Sequence, residues 1–538
     1  MSRVARVLRP SHQHSAFSAT LLLMASVMLA RVIGYLREMY VAWAFGAGPK
    51  TDAYVAAFQI PDYLFYLLAG GTTSITFIAI YARHTSRGEE DKAQEAFNTT
   101  ITVMTVIALL GTVLVEIFTP QIAGLIFPKF TSEQMELCVY LTRVLLPGQI
   151  FFYAGGIVSA VLLSRRMFLY PALSPVFYGT SIIVGGLLGA HRFGIAALAY
   201  GALVGSFVGP FLINSIGAAK TGLRYQWRFD FRNPEFREWV KLSIPLMLGV
   251  SLVSADDWIL RYFASGGAGE ISRLNYAKRL FALPISILGQ AAGQASMPFF
   301  AKLYGEGKRA EFADSVNQSV YRVGSAALLV TALMATAALP LVDLAFHRGR
   351  FNLQDAQSTA MYFAWFSLSL ALWSAQALYA RAFYAAGNTV TPMVASTLIV
   401  IASLPMYAAM FHRFGFVGLA MASDLGILLH TVVIAWLLHY RKLVLLEGLP
   451  WGEVGKALAA AVAAGLACYA VSLRTSAGSW RRDVVALAAI GATWLLVIAV
   501  ALGITRSRLW GELRRGKKPA AMGEPLAVVE RTEGGVEP

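Results

Sequence analysis

Charged residues sit inside segments of this chain that are otherwise apolar and long enough to cross a bilayer. From Phe17 to Ile504 about fourteen apolar stretches follow one another, each able as a helix to cover the ~30 Å of a hydrocarbon core. Arg31, Arg37, Glu38, Asp256, Asp257 and Arg279 lie within or at the edge of these stretches. A charge at mid-bilayer costs at least ~2.5–3.5 kcal/mol, so each needs a partner, a wet cavity or a ligand. The expected fold is an all-α polytopic membrane protein. A cationic interior suits transport of something anionic.

Composition narrows the function classes. Apolar residues make up 57% of the 538 positions and charged residues 14%, which leaves little chain for a soluble catalytic domain. The net charge of +15 would suggest nucleic acid in a soluble protein; here the positive-inside rule explains it, and no nucleic-acid partner is expected. Cys138 and Cys468 both fall in apolar stretches and read as packing residues. No zinc, haem or iron–sulfur spacing occurs, and no cofactor is expected. The basic start "MSRVARVLRP" resembles the opening of a signal peptide, but the apolar run behind it continues past Arg31 to Phe45, so it reads as a cytoplasmic segment before a retained span. Six Lys or Arg between Arg506 and Lys518 mark a basic patch, followed by a tail expected to be disordered.

The stretches run at 17–44, 52–83, 96–118, 135–164, 170–190, 194–218, 236–264, 270–303, 313–339, 357–386, 389–411, 415–440, 452–473 and 482–504. Lys and Arg number about 25 on the side that holds both termini and about 9 on the other, which places both termini in the cytoplasm. Two halves resemble each other. "GAG" at Gly46–Gly48 recurs at Gly267–Gly269, and "HRFG" at His191–Gly194 recurs at His412–Gly415, both at an offset of 221; Gly71 and Ser74 match Gly293 and Ser296 at 222. Each half holds six spans, an even number, so the repeats enter the membrane in the same sense, as two lobes around a cavity. The expected organisation is a cytoplasmic N-terminus (1–16), a first lobe (17–219), a basic cytoplasmic linker (220–235), a second lobe (236–442), two appended helices (443–504) and a cytoplasmic tail (505–538).

Arg31 lies near mid-membrane, Arg37 about 9 Å further toward the outside, and Arg279, on the eighth span, roughly 13 Å below the outer surface. These three guanidiniums share a depth and come from opposite lobes. Arginine presents a planar fork of donors that fits phosphate oxygens, so the cluster is a candidate diphosphate site, with Lys278 as a further candidate through its neighbouring ammonium. The competing reading is internal pairing with Glu38, Asp52, Asp256 or Asp257. Arg31 and Glu38, seven residues apart, share a helix face, whereas Arg37 points elsewhere on a straight helix. Arg273 is a further cation that could join the cluster or snorkel. Asp256, Asp257 and Asp424 are candidates for a monovalent cation site. Gly71 beside Gly70, Pro61, Pro245 and Pro284 mark places where helices near the cavity could bend.

The same residues carry a family resemblance. "ARVIGYLREMYVAWAFGAGPKTDAYVAAFQIPD" resembles the first two spans of the MurJ/MviN family; "NYAKRLFALP" resembles its eighth span, and "LAFHRGRFNLQDA" and "RAFYAAGNTVTP" its ninth-to-eleventh region. The resemblance covers roughly Ser18 to Lys442. It implies a member of the multidrug/oligosaccharidyl-lipid/polysaccharide exporters that flips lipid II, the undecaprenyl-diphosphate-linked peptidoglycan precursor, to the outer leaflet of the bacterial inner membrane. By position it implies Arg31, Arg37 and Arg279 as cavity arginines, with Glu38 and Asp52 as acidic neighbours. The chain departs from the family pattern at Phe65 and Tyr66, where an arginine pair is usual, at Gly70, and at Lys278, where an acid is usual; Lys278 offers a compensating cation. The family's sodium site between spans seven, eleven and twelve is matched only in part, so Na+ or the membrane potential remain the expected driving forces. Alternating access needs no covalent chemistry. The remaining readings are a flippase for another lipid-linked oligosaccharide, a cation-coupled small-molecule exporter, and a membrane glycosyltransferase. The last would need a large outer loop that this chain lacks. The bilayer and the cell-wall synthesis machinery are the expected partners.

Overall fold

The computed structural model describes residues 16–69, 73–247, 252–474 and 479–515. Among them every regular element is helical, and eight helices are long and apolar enough to span a membrane. Large apolar side chains on their outer faces, such as Leu110, Leu125, Leu188 and Leu466, stay exposed, as a lipid-facing surface requires.

Several of the expected spans are broken, each for a local reason. The second comes as Pro49–Ala57, Gln59–Ala69 and Thr73–Ser86, and Gly71 lies outside the described residues. The fourth breaks at Pro147 into Ser132–Leu145 and Gly148–Ser164. The eighth runs as an α-helix from Glu270 to Pro284, passes through a π-helical stretch at Ile285–Ala291, and resumes as Ala292–Gly305. Pro284 cannot donate to the helical ladder, which accounts for the change of winding there. A second π stretch, Phe207–Ile213, contains Pro210.

The duplication is visible in the backbone. Gly194 has φ 57°, ψ −138° between Leu169–Phe193 and Ala196–Ser206. Its counterpart Gly415 has φ 61°, ψ −143° inside Val390–Tyr440. Only glycine reaches this conformation without strain, so the shared "HRFG" preserves the same corner in both halves.

The apolar packing divides the molecule by height. One cluster joins both lobes and includes Val41, Tyr54 and Cys138 from the first and Ile259, Tyr276, Phe346 and Tyr407 from the second. Two further clusters are separate: one around Phe77, Tyr81, Phe97 and Trp239, the other around Phe300, Phe312, Tyr321 and Phe383. The lobes thus share a core at the end that carries Gly46 and hold separate cores at the end that carries the linker. Trp451–Ser472 and Trp480–Ile504 pack on Arg309–Thr336 of the second lobe, where Trp494 donates to the Leu329 carbonyl at 2.7 Å.

The seventh span belongs to both lobes. Pro234–Met247 packs on Thr73–Ser86, Gln59–Ala69 and Glu90–Ile126 of the first lobe. Trp239 is buried there, and Arg83 pairs with Glu238 at 2.5 Å. Leu252–Ala264, by contrast, packs on Glu270–Pro284 and Val390–Tyr440. The two halves of this span thus pack on different lobes.

Candidate anion-binding cavity

At the Gly46 end the two copies of the "GAG" motif meet. A Cβ on Gly269 would come 2.9 Å from the Ala47 carbonyl oxygen, and one on Gly46 2.7 Å from that of Arg350. The Arg350 amide donates to the Trp43 carbonyl at 3.0 Å. Backbones approach this closely only where no side chain intervenes. Asp52 completes the closure. Its carboxylate accepts hydrogen bonds from the Gly269 amide (2.5 Å), the Ser272 amide (2.8 Å) and the Ser272 hydroxyl (2.6 Å). A first-lobe side chain thus caps the N-terminus of a second-lobe helix, where exposed amides and the helix dipole favour an anion. Arg273, a residue further along, pairs with Glu270 at 2.5 Å and Asp355 at 2.8 Å, so it serves the second lobe's own packing.

Below this closure, toward the linker, Glu38 gathers cations from both lobes. Arg37 Nη2 lies 2.8 Å from Glu38 Oε1 and Arg279 Nε lies 3.7 Å from the same oxygen, while Asn275 Nδ2 is 3.5 Å from Oε2. Arg37 and Glu38 side chains are mostly buried at 19% and 10% exposure, but that of Arg279 is 52% exposed. Arg31 is exposed and has no ion pair among the described residues. It lies on the Glu38 face of the first helix, about 10 Å nearer the linker end. The adjacent residues Arg37 and Glu38 reach each other through the length of the arginine side chain, although their Cβ atoms diverge.

Lys278 sits differently. Its ammonium bonds Asp256 and lies 2.5 Å from Asp257. The Tyr407 hydroxyl donates to Asp256, and Ser423 Oγ is 3.0 Å from Asp256 Oδ2. Lys278 therefore stands at the centre of a site built from the seventh, eighth, eleventh and twelfth spans, and two carboxylates more than offset its charge. Asp424 lies beside this group, with neither carboxylate oxygen hydrogen-bonded among the described residues. Among those residues no set of three His, Cys, Asp or Glu could hold a metal ion. Phe65 stacks on Tyr153 with centroids 5.5 Å apart, inside the first lobe. Tyr66 meets Trp258 edge-on across the lobes at 5.9 Å.

Of these groups Asp256, Asp257, Asn275, Lys278 and Arg279 line a cavity of ≈ 440 Å³, which Arg381 also faces. Pro284 sits at its side, at the change of helix winding. Sequence reading passed over Arg381, Asp62 and Arg261. Arg381 sits near the end of its helix and looks like an interfacial cation. Asp62 of the first lobe comes within electrostatic reach of Arg261 and Arg279 of the second only once the lobes meet. Two guanidiniums on one carboxylate, one of them lining the cavity, can receive an anion that replaces that carboxylate as partner.

Comparison with known proteins agrees with this layout. The family model described as Lipid II flippase MurJ matches residues 41–487. The probable lipid II flippase MurJ of Rhizobium meliloti (strain 1021) is 26% identical over 527 residues, covering 94% of this chain and 97% of the relative. The lipid II flippase MurJ of Burkholderia cenocepacia is 26% identical over 438 residues, covering 78% and 83%. A solved lipid II flippase MurJ in an inward closed conformation superposes with a TM-score of 0.74 at 19% identity, over 90% of this chain and 100% of that one. An inward-facing MATE family transporter of the MOP superfamily follows at 0.62 and 16%, over 78% and 98%. At these identities the superpositions speak for the fold alone. The family match, in contrast, runs from residue 41, at the end of the first span, through both lobes, and on that ground the chain belongs to the MurJ family of lipid II flippases.

Proposed function

We propose that this protein moves lipid II, an undecaprenyl-diphosphate-linked peptidoglycan precursor, from the inner to the outer leaflet of the bacterial inner membrane by alternating access. The observation that carries this reading is Glu38 holding Arg37 and Arg279, from opposite lobes, beside an open cavity. The incoming diphosphate takes Arg279 and Arg31 first, since both are exposed. It then draws Arg37 from Glu38. Bidentate Arg–phosphate bonds replace the carboxylate contacts, and the interaction that held the lobes in their empty arrangement is released. The Asp52 cap and the "GAG" contact form the outer gate, which must part before the headgroup can leave.

The linker end faces the cytoplasm in this reading, with both termini on that side, because the basic residues concentrate there. The structure then corresponds to a state sealed outside. A membrane potential negative inside favours outward movement of the anionic headgroup by ~2.3 kcal/mol per charge per 100 mV. Lys278 occupies the midst of Asp256, Asp257, Tyr407 and Ser423 with a tethered cation. Potential-driven return of the cationic empty carrier therefore fits this chain better than a free sodium ion between those aspartates. No covalent step is involved. Depletion of the protein should make lipid II accumulate in the inner leaflet; accumulation of a different lipid-linked glycan would overturn the assignment of substrate.

A further inference from the structure

The linker between the lobes is an extended segment with a strict alternation. Tyr225, Trp227, Phe229 and Phe231 take every second place, and Arg224, Gln226, Arg228, Asp230 and Arg232 the places between. In an extended chain alternate side chains point to opposite faces, so Tyr225, Trp227 and Phe229 form one row, and Phe231 lies in the turn that follows. The segment is pinned along Glu90–Ile126. Gln94 donates to the Arg224 carbonyl at 2.5 Å, and the Gln226 amide donates to Asn98 at 3.0 Å. Thr102 meets the Tyr225 hydroxyl at 3.1 Å, and Arg228 pairs with Glu95 at 2.7 Å. Gln94, Asn98 and Thr102 lie four residues apart, one helix face serving as a rail for the strap.

The strap roofs a cavity. A space of ≈ 360 Å³ lies in the first lobe, walled by Phe97, Ile101, Val158, Phe211, Tyr225 and Trp227 among others. Its walls are apolar except for a few hydroxyls, of which that of Thr102 is engaged by Tyr225. Such a space holds water poorly. At its rim Trp227 is 71% and Tyr225 54% exposed. Lys220 and Arg224, the chain neighbours of the lining residues Ala219, Leu223 and Tyr225, are exposed and have no ion pair among the described residues. An apolar slot, a rim of amphipathic aromatic rings and two exposed cations just outside it, of which Lys220 also lies over the Tyr170 ring at 5.6 Å, match, in that order, the acyl chain, the interfacial layer and the phosphate of a phospholipid.

We infer that this cavity is a site for one acyl chain of an anionic diacyl phospholipid of the inner leaflet, whose phosphate is held by Lys220 and Arg224. The placement in the inner leaflet rests on the cytoplasmic orientation proposed above. The site is separate from the arginines around Glu38 and is formed by the first lobe and the linker alone. Its occupant docks the strap onto the first lobe, and the strap leads directly into Pro234–Met247, the half-span that the first lobe holds. The bound lipid thereby tethers the crossing element to one lobe while the other moves.

The test is native mass spectrometry of the full chain, delipidated in detergent. The probes are phosphatidylglycerol, phosphatidylcholine with the same acyl chains, and undecaprenyl phosphate. One copy of phosphatidylglycerol should bind at least fivefold more tightly than phosphatidylcholine. Ala219→Phe, which fills the cavity from an exposed position, should weaken the binding of both diacyl lipids at least fivefold, and the pair Tyr225→Ala, Trp227→Ala should do the same should the first variant fold poorly. Lys220→Ala with Arg224→Ala should bring phosphatidylglycerol down to the level of phosphatidylcholine and leave the latter unchanged. Equal binding of the two diacyl lipids, indifference to the cavity variants, or displacement of the bound copy by undecaprenyl phosphate at lower concentration would each overturn the proposal. No transport is measured, so the outcome is independent of the flippase reading.

Discussion

Asp52 of the first lobe caps the helix of the second lobe through Ser272, accepting from its amide at 2.8 Å and its hydroxyl at 2.6 Å. The partners are 220 residues apart in the chain. Loss of a capping side chain costs about 1–2 kcal/mol. Asp52→Ala should therefore shift the balance between sealed and parted outer gates by roughly tenfold toward the parted state. Spin labels at Ala47 and Ala268 would report it as a larger population at long distance. An unchanged distance distribution would show that the cap does not hold the gate.

Glu38 is the shared partner of Arg37 and Arg279, and its removal should separate binding from transport. Glu38→Gln leaves two guanidiniums without their carboxylate, so a diphosphate lipid should bind several-fold more tightly while flipping slows. Binding by native mass spectrometry and flipping in vesicles would check the two arms. Weaker binding in Glu38→Gln would mean that the carboxylate orients the arginines for the ligand instead of competing with it.

Arg279→Ala and Arg31→Ala should each abolish complementation of a depleted strain at near-normal membrane abundance. Lysine at either place should rescue only in part, because an ammonium lacks the planar fork. Full growth with Arg279→Ala would remove that residue from the substrate site.

Lys278 lies between Asp256 and Asp257. Breaking a fully buried ion pair from one side typically costs about 3–5 kcal/mol, and solvent screening lowers that figure here because Asp257 is 43% exposed. Lys278→Asp, which sets three carboxylates together, should lower the melting temperature in detergent as well as impair transport. Phe65→Arg should not correct it, because Phe65 stacks on Tyr153 within the first lobe. Normal melting and transport in Lys278→Asp would show that the two aspartates do not depend on this ammonium.

Cysteines placed between Lys220 and Arg237 should react with impermeant reagents only from the cytoplasmic side. Labelling from outside would reverse the orientation and, with it, the identification of the sealed end as the outer gate.

Hydropathy and charge are local properties, and what depends on them was legible in the chain itself: the helical class, the repeat and the presence of charges inside apolar spans. The shared "HRFG" even marked a corner that both halves build with the same glycine conformation. Partner choice was not legible. Whether Arg279 meets Glu38, whether Lys278 faces the cavity or two aspartates, and what Asp52 caps are decided by backbone that the other lobe or a neighbouring span brings alongside, in the case of Asn275 and Glu38 from 237 residues away. The division of the seventh span was hidden for the same reason. Pro234–Met247 and Leu252–Ala264 read as one apolar run, since hydropathy registers burial and not which lobe does the burying. Ion pairing and lobe membership depend on distances of a few ångströms between distant segments, and only the tertiary structure sets those.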